Sequence, residues 1–179
     1  APSGEDPAAA VALVQDRGLA CLVANDVALA AKLGGDGVHI EADPTLHAEA
    51  RKVLGPNASI GAGCGLNRHD AMLFAEMGAD YVAFGAEDGS DIEAINQRDE
   101  LIAWWSEIFV VPCVAWNVIS AEEAARCAAS GADFVAPSLD LWPDVHWKPA
   151  AGSRRVNLDA LTREEVTSWK PGQALLLSG

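Results

Sequence analysis

Several side chains that could take up or release a proton lie near the ends of short apolar segments of this sequence. General acid–base catalysis requires only one such group, provided that it is held within reach of the reacting atom. Four residues are candidates for this role: His39, Glu41, Cys64 and His69. A buried histidine bonded to its own fold is the simpler interpretation of His39. His69 lies where the first turn of a helix is expected, so a surface position is its simpler interpretation.

The cysteines do not have the spacing of a metal site. They stand at positions 21, 64, 113 and 127, and no two of them form a C-x-x-C pair. A zinc site would require paired ligands, and a disulfide framework would require a higher density of cysteines. We therefore interpret them as reduced thiols and predict a cytoplasmic protein.

The composition predicts one globular domain and argues against two classes of partner. The chain has 179 residues, of which 50% are hydrophobic, enough for a single core of ordinary size. Its net charge of −14 arises from 26 acidic and 12 basic residues, so nucleic acid and anionic membrane surfaces are not expected as partners. The sequence contains no apolar run of transmembrane length and no signal-peptide pattern.

A pattern of about ten residues occurs three times. Each copy has the end of an alanine-rich helix, then a Gly-x-Asp triplet, then a short apolar strand. The glycine suits the left-handed backbone that ends a helix, and the aspartate can accept backbone N–H groups of the tight turn. We therefore predict a turn-forming role for these aspartates rather than a catalytic one. The copies cover 31–40, 75–84 and 128–137, with aspartates Asp36, Asp80 and Asp133.

Helical and extended segments alternate along most of the chain. Such alternation with short connections predicts a parallel sheet. An open sheet could stop at six strands, whereas a barrel requires eight. The glycine-rich loop 61–65 is not a dinucleotide fingerprint, because it lacks the G-x-G-x-x-G spacing. Predicted strands cover 19–24, 37–40, 58–62, 80–84, 109–115 and 133–136. Predicted helices cover 6–17, 44–55, 68–77, 92–107 and 121–130, and a further helix is predicted directly after Asn25-Asp26.

Several segments, taken in order from about residue 15 to 138, resemble thiamine phosphate synthase and its relative thiazole tautomerase. The segments are 25–26, 37–40, 60–63, 78–85, 112–115 and 131–133. The resemblance implies an α/β fold of the TIM (β/α)8 barrel type, in which these strands correspond to the family's third through eighth. The first two strands are not evident, so either the barrel is incomplete in this sequence or the sheet closes differently, for example with 173–178.

The resemblance also divides the chain. Residues 1–138 are predicted to form the barrel, with helix 6–17 followed by six βα units. Residues 139–179 are predicted to form a Trp-rich C-terminal extension of the same domain. This extension could cap the barrel, supply an edge strand or form a subunit contact.

The synthase of this family joins a pyrimidine methyl pyrophosphate to a thiazole phosphate with Mg²⁺ and releases pyrophosphate. By resemblance, Asp26 falls on one metal-binding aspartate. Asp43 lies near the second, although a helix N-cap is an equally good interpretation of it. The residues that fall in substrate-binding segments are Asn25, Gly61, Gly63, Gly85, Trp116, Asn117 and Ser138.

Three loops depart from the family pattern. A Ser or Thr is replaced by Gly63-Cys64, a phosphate-gripping Thr-x-Thr-Lys by the acidic segment 87–91, and a Gly-Gly by Trp116-Asn117. A carboxylate ~4 Å from a phosphate would cost on the order of 1–4 kcal/mol for each charge pair. An acidic mouth is better suited to a neutral or cationic ligand.

Three hypotheses about function therefore remain open. The first is a thiamine phosphate synthase with eroded phosphate loops. The second is a diverged barrel that binds or isomerises a small heterocycle. The third is a non-catalytic binding protein that forms a homo-oligomer such as a dimer, with Trp104-Trp105 at its interface. The reason is that packing of helix 92–107 onto the barrel accounts for only one of two adjacent Trp side chains.

Overall fold

Helices and strands alternate from residue 7 to residue 137. The structure is a computed structural model and describes residues 7–85, 91–138, 154–157 and 175–178. The helices are α1 (Pro7–Gln15), α2 (Val27–Leu33), α3 (Pro44–Leu54), α4 (Arg68–Glu76), α5 (Ile92–Ile108) and α6 (Ala121–Ala129). The strands are β1 (Leu22–Ala24), β2 (Gly37–Glu41), β3 (Ser59–Gly63), β4 (Tyr81–Phe84), β5 (Cys113–Val118), β6 (Phe134–Pro137), β7 (Arg154–Asn157) and β8 (Leu175–Ser178).

Strands β1 to β6 form one parallel sheet in chain order, which has the form of a half-barrel. This confirms the predicted α/β class and the predicted parallel sheet. Strand β8 pairs with β7 in a separate two-stranded sheet, so the expected alternative closure, in which 173–178 pairs beside β1, is wrong. Within the described ranges, none of the helices is both long and apolar enough to span a membrane.

Alternate residues of the strands face the helices and form the core. The helix-facing positions of β2 to β5 are at most 1% exposed and include aliphatic, aromatic and thiol side chains. Burial of each large apolar side chain stabilises the fold by roughly 1.5–3 kcal/mol. The other face of the same strands is therefore free to carry polar residues. The helix-facing residues are Val38, Ile40, Ile60, Ala62, Val82, Phe84, Cys113 and Ala115.

Helices start at polar caps that directly follow the strands. Asp43 accepts hydrogen bonds from the N–H groups of Thr45 and Leu46 at 2.9 and 3.0 Å, as predicted for an N-cap. Asn67 and Ser120 cap α4 and α6 in the same way. These caps place the first turns of the helices next to the ends of the strands.

The aspartates of the repeat bind neighbouring strands rather than their own turns. Asp36 Oδ2 accepts the N–H of Cys21 at 2.7 Å. Asp80 Oδ2 accepts the N–H of Ile60 at 2.7 Å, and Asp133 Oδ2 accepts that of Cys113 at 2.8 Å. The prediction of a structural role was right, but the expected partner was not, because pairing brings the start of the adjacent strand to the carboxylate. We call the side of the sheet where strands begin the amino-terminal edge, and the opposite side the carboxyl-terminal edge.

Two expectations about segment 92–115 were wrong. The strand predicted at 109–115 begins only at Cys113. The residues before it pack on α5 instead: the Phe109 ring stacks on the Trp105 ring, with centroids 4.0 Å apart. The Trp105 indole N–H also donates a hydrogen bond to Val111 O at 2.7 Å. The Trp104 ring also packs within the chain, between Phe109 and the guanidinium of Arg68. Packing thus accounts for both tryptophans, and the pair no longer argues for an oligomer interface.

Candidate functional site

A cavity of about 550 Å³ opens at the carboxyl-terminal edge of the sheet. Its volume lies within the range of small-molecule sites. The described residues that line it include one carboxylate, one imidazole, one indole and one amide, but no Lys or Arg. The lining residues are His39, Glu41, Gly63, Gly65, Ala83, Gly85, Trp116 and Asn117.

His39 and Tyr81 meet across the strand that separates them. Gly61 pairs with His39 on one side and with Tyr81 on the other, so the three residues form one row on the same face. A Cβ at Gly61 would overlap the Tyr81 ring. Its absence lets the Tyr81 hydroxyl reach His39 Nδ1 at 2.9 Å. Sequence reasoning did not identify Tyr81, although its alternation with Gly85 in β4 places both on this face.

Burial keeps both partners of this pair uncharged near neutral pH. Burial lowers the pKa of His39, and the nearby Glu41 carboxylate opposes that shift only in part. Burial also raises the pKa of Tyr81 to about 12, so the phenol retains its proton. A Tyr81 O–H that donates to Nδ1 leaves the imidazole proton on Nε2.

Glu41 lies one row further along β2 and faces the cavity. Its Oε1 lies 3.7 Å from His39 Nε2, and Nε2 is buried without a hydrogen-bond partner among the described residues. The Asn25 side-chain oxygen accepts the Glu41 N–H at 2.8 Å, and the Asn25 N–H donates to His39 O at 2.8 Å. Asn25, which was predicted to bind substrate, secures the end of β2 and is not among the lining residues.

A bulge in β5 turns two consecutive residues toward the cavity. The β5–β6 register shifts between Ala115 and Val118, and Asn117 has a left-handed φ of 56°. Asn117 is the extra residue, so Val118 returns to the core while both Trp116 and Asn117 line the cavity. Trp116 stacks on His39 with ring centroids 4.5 Å apart and an interplanar angle of 1°.

Cys64 is less well placed for proton transfer than sequence reasoning expected. It is 3% exposed and belongs to the core cluster that packs against the helices. Burial, assisted by the negative charge of Asp70, raises its pKa to about 12. The side chain is therefore a thiol at neutral pH and a weak base.

Asp26 and Asp43 both lie at the carboxyl-terminal edge, directly after β1 and β2. Each uses Oδ1 to cap a helix: Asp26 accepts the Leu29 N–H at 2.8 Å, and Asp43 caps α3. Each carboxylate thus has a second oxygen available for a cation. One or two carboxylates together with substrate phosphates are the donor set that Mg²⁺ commonly uses in proteins. Asp26 and Asp43 carry side chains of the type that such an ion binds, and the described residues contain no cluster of three or more acidic, His or Cys groups that could hold a metal.

The structure brings several of the predicted site residues together at the cavity. Six of them line the cavity: His39, Glu41, Gly63, Gly85, Trp116 and Asn117. Ser138 lies just past β6, where its N–H donates to Val118 O, and is not among the lining residues.

His69 is exposed in the first turn of α4, as its simpler interpretation predicted. Of the acidic segment 87–91, only Asp91 is described, and it caps α5; the rest lies outside the described residues.

Comparison with known proteins gives consistent matches. A family model described as thiamine monophosphate synthase matches residues 5–140. The thiamine-phosphate synthase of Rhodospirillum centenum is 41% identical over 132 residues, which cover 73% of this chain and 64% of the relative. That of Erythrobacter litoralis is 41% identical over 143 residues, covering 76% and 65%. That of Hyphomonas neptunium is 40% identical over 152 residues, covering 84% and 68%.

The match extends over only part of these relatives. The chain covers less than two thirds of the first two, at 64% and 65% of their length. The matched region includes every residue that lines the cavity.

Proposed function

This chain belongs to the thiamine monophosphate synthase family, and on that basis we propose that it acts in thiamine biosynthesis as a synthase-type transferase. The reaction joins the methylene carbon of a pyrimidine pyrophosphate to the ring nitrogen of a thiazole phosphate. The observation that carries the proposal is the cavity at the carboxyl-terminal edge, which lies wholly within the matched region. Active sites of βα barrels lie at this edge.

The same membership leads us to propose that the six parallel strands are six of the eight in a TIM barrel. The cavity-facing side of the sheet supports this architecture, because large apolar side chains on it are still accessible. Phe134 is 61% exposed and Trp116 is 39% exposed. In a closed barrel this side would pack against the remaining strands.

The residues of the cavity have the properties that such a reaction requires. Gly63, Gly65 and Gly85 leave space for planar rings, and Trp116 supplies an aromatic wall for them. His39, held by Tyr81, presents an uncharged imidazole at the base of that wall. Asp26 and Asp43 would hold Mg²⁺, which, when bound, neutralises charge on the pyrophosphate leaving group.

The proposal is tested by incubating the full chain with both precursors and Mg²⁺ and measuring thiamine phosphate. Product is expected from the wild type, and Asp26→Ala is expected to abolish it. Ser120→Ala is the matched control, because it also removes a helix N-cap, here from α6, but removes no carboxylate. Absence of product from the wild type at high enzyme concentration would reject the proposal.

A second candidate, binding or isomerisation of a small heterocycle, is favoured by one observation. The cavity lining places Glu41 beside His39, and its described residues include no Lys or Arg that would neutralise a phosphate. Calorimetry with thiazole phosphate, pyrophosphate and thiamine distinguishes the two candidates. Binding of the heterocycles without synthase activity would support the second, whereas binding of pyrophosphate with Mg²⁺ would support the first.

A further inference from the structure

We propose that Glu41 and Trp116 together form a subsite for a planar, positively charged heteroaromatic ring. The inference rests on the proposed function for its chemistry. When the ring nitrogen of a neutral thiazole forms a bond to the methylene carbon, that nitrogen contributes the electron pair and the ring becomes cationic. The C–O bond to pyrophosphate breaks, and its electron pair leaves with the pyrophosphate.

Glu41 supplies the negative charge of this subsite. Its side chain is 63% exposed and borders the cavity. No Lys or Arg occurs among the described lining residues, and the buried imidazole of His39 is uncharged near neutral pH. The carboxylate therefore faces the cavity without a competing positive charge, so a cationic ring is attracted more strongly than a neutral ring of the same shape.

The position of the Glu41 carboxylate is set by its neighbours. Asn25 Oδ1 holds the Glu41 backbone at 2.8 Å, and the His39 imidazole, oriented by Tyr81, stands 3.7 Å from Oε1. The carboxylate lies over Gly63, where an added Cβ would come within 2.5 Å of Oε2. Tyr81 and His39 are thus positioning residues, and Gly63 provides the space.

Trp116 supplies the aromatic face. Its ring is parallel to that of His39, and it remains 39% exposed where it borders the cavity. A Cβ at Gly85 would lie 2.6 Å from Trp116 O and 2.7 Å from its Cβ, so Gly85 is required for this approach. Among aromatic side chains, the indole face attracts cations most strongly. Glu41 and Trp116 therefore favour the same class of ring.

The test uses two probes that differ in charge and otherwise only by one methyl group: hydroxyethyl-methylthiazole and its N-methylated thiazolium salt. Neither carries a phosphate, and titration calorimetry is done on the full chain without Mg²⁺. We expect the wild type to bind the thiazolium about tenfold more tightly than the neutral ring. Glu41→Gln should reduce this preference to about one, because the cost of desolvating the cation then offsets its attraction to the indole face. Trp116→Leu should reduce the preference about threefold.

Glu100→Gln is the matched charge control. Glu100 is exposed on α5 and does not line the cavity, so its loss should leave the preference unchanged although it removes the same net charge. Circular dichroism of each variant checks that the fold is retained. Equal affinity for the two probes, no binding of the thiazolium, or a preference that survives Glu41→Gln would each overturn the inference.

The synthase assay, run on the same proteins, separates this inference from the proposed function. A charge preference that depends on Glu41, without thiamine phosphate formation, would reject the synthase and retain the subsite. Thiamine phosphate formation without a charge preference would reject the subsite and retain the synthase.

Discussion

Acidic residues are used differently at the two edges of the half-barrel. At the amino-terminal edge, the carboxylates of Asp36, Asp80 and Asp133 accept backbone N–H groups of the neighbouring strand at 2.7–2.8 Å. At the carboxyl-terminal edge, the Glu41 carboxylate faces a cavity and lies 3.7 Å from the His39 imidazole.

This difference distinguishes structural from functional acids. A carboxylate that accepts strand N–H groups satisfies donors that would otherwise be unpaired, so its removal reduces stability. A carboxylate that faces a cavity contributes little to folding and retains its capacity to bind. Substitutions of the three repeat aspartates should therefore reduce stability, and substitution of Glu41 should reduce binding.

Adding one methyl group at each edge gives the largest expected effect. A Cβ at Gly37 would overlap the backbone of Ser59, which cannot rotate away, so Gly37→Ala should lower the free energy of unfolding by about 3 kcal/mol. A Cβ at Gly63 meets the ends of the Glu41 and His39 side chains, so Gly63→Ala should cost about 1 kcal/mol but abolish the thiazolium preference. Urea denaturation and calorimetry measure the two effects. Equal losses of stability would contradict the distinction.

Removing one structural aspartate should have the next largest effect. Asp80→Ala leaves the buried Ile60 N–H without its acceptor and also removes the ion pair with Arg51 at 2.8 Å. We expect a loss of about 2 kcal/mol, mostly from the unpaired N–H, because the ion pair is partly exposed. Asp80→Asn retains an acceptor oxygen and should recover much of the stability. Neither variant should alter thiazolium affinity, and a change in affinity would show that the edges are coupled.

Removing the phenol that holds the cavity residue His39 should have a smaller effect on stability. Tyr81→Phe deletes the hydrogen bond to His39 Nδ1 and should cost about 1 kcal/mol in urea denaturation. Imidazole nitrogen NMR should show that His39 no longer strongly favours the Nε2-protonated tautomer. An unchanged His39 spectrum would mean that Tyr81 does not set the tautomer.

The smallest expected effects concern the pH dependence of folding stability, which should differ between the two edges. Burial lowers the pKa of His39 from 6.5. The contribution of the neutral imidazole to folding stability is therefore present above pH 6.5 and is lost as the pH falls below that value. The pKa of Asp36 is lowered from 3.8, chiefly by the Cys21 N–H and Gln15, so its contribution is lost only below pH 3.8.

Denaturation between pH 8 and pH 3 measures both pH ranges. His47 is also buried and also has a lowered pKa, so the His39→Gln comparison is made in a His47→Gln background. His39→Gln should then flatten the decline in the free energy of unfolding below pH 6.5. Asp36→Asn should flatten the decline in the free energy of unfolding below pH 3.8. A decline below pH 6.5 that persists without both histidines would identify another group as its source.

Elements that depend on local chemistry were predictable from the sequence. Asp43-Pro44 and Asn67 start helices because their side chains bond N–H groups two or three residues away. Gly34 and Gly78 adopt φ values of 68° and 83° because few other residues enter that region readily. Alternation of these elements was sufficient to predict a parallel sheet.

Other features depend on pairing between distant residues. The acceptor role of Asp133 toward Cys113 requires the β5–β6 register, and the His39–Tyr81 bond requires two registers across Gly61. Nothing local to 109–111 indicates that Phe109 folds back onto Trp105. These contacts join residues that are far apart in sequence, or depend on a turn that the apolar pattern does not reveal.

The sequence by itself determined the order of helices and strands, the helix caps and the family, because each depends on residues close together in the chain or on an ordered set of motifs. Only the tertiary structure decided which side chains share the cavity. Trp116 reaches His39 because a bulge at Asn117 shifts the register of β5 and Gly85 leaves room for the Trp116 backbone and Cβ. Side-chain direction at the end of a strand depends on register and bulges, which are set by packing against neighbouring strands.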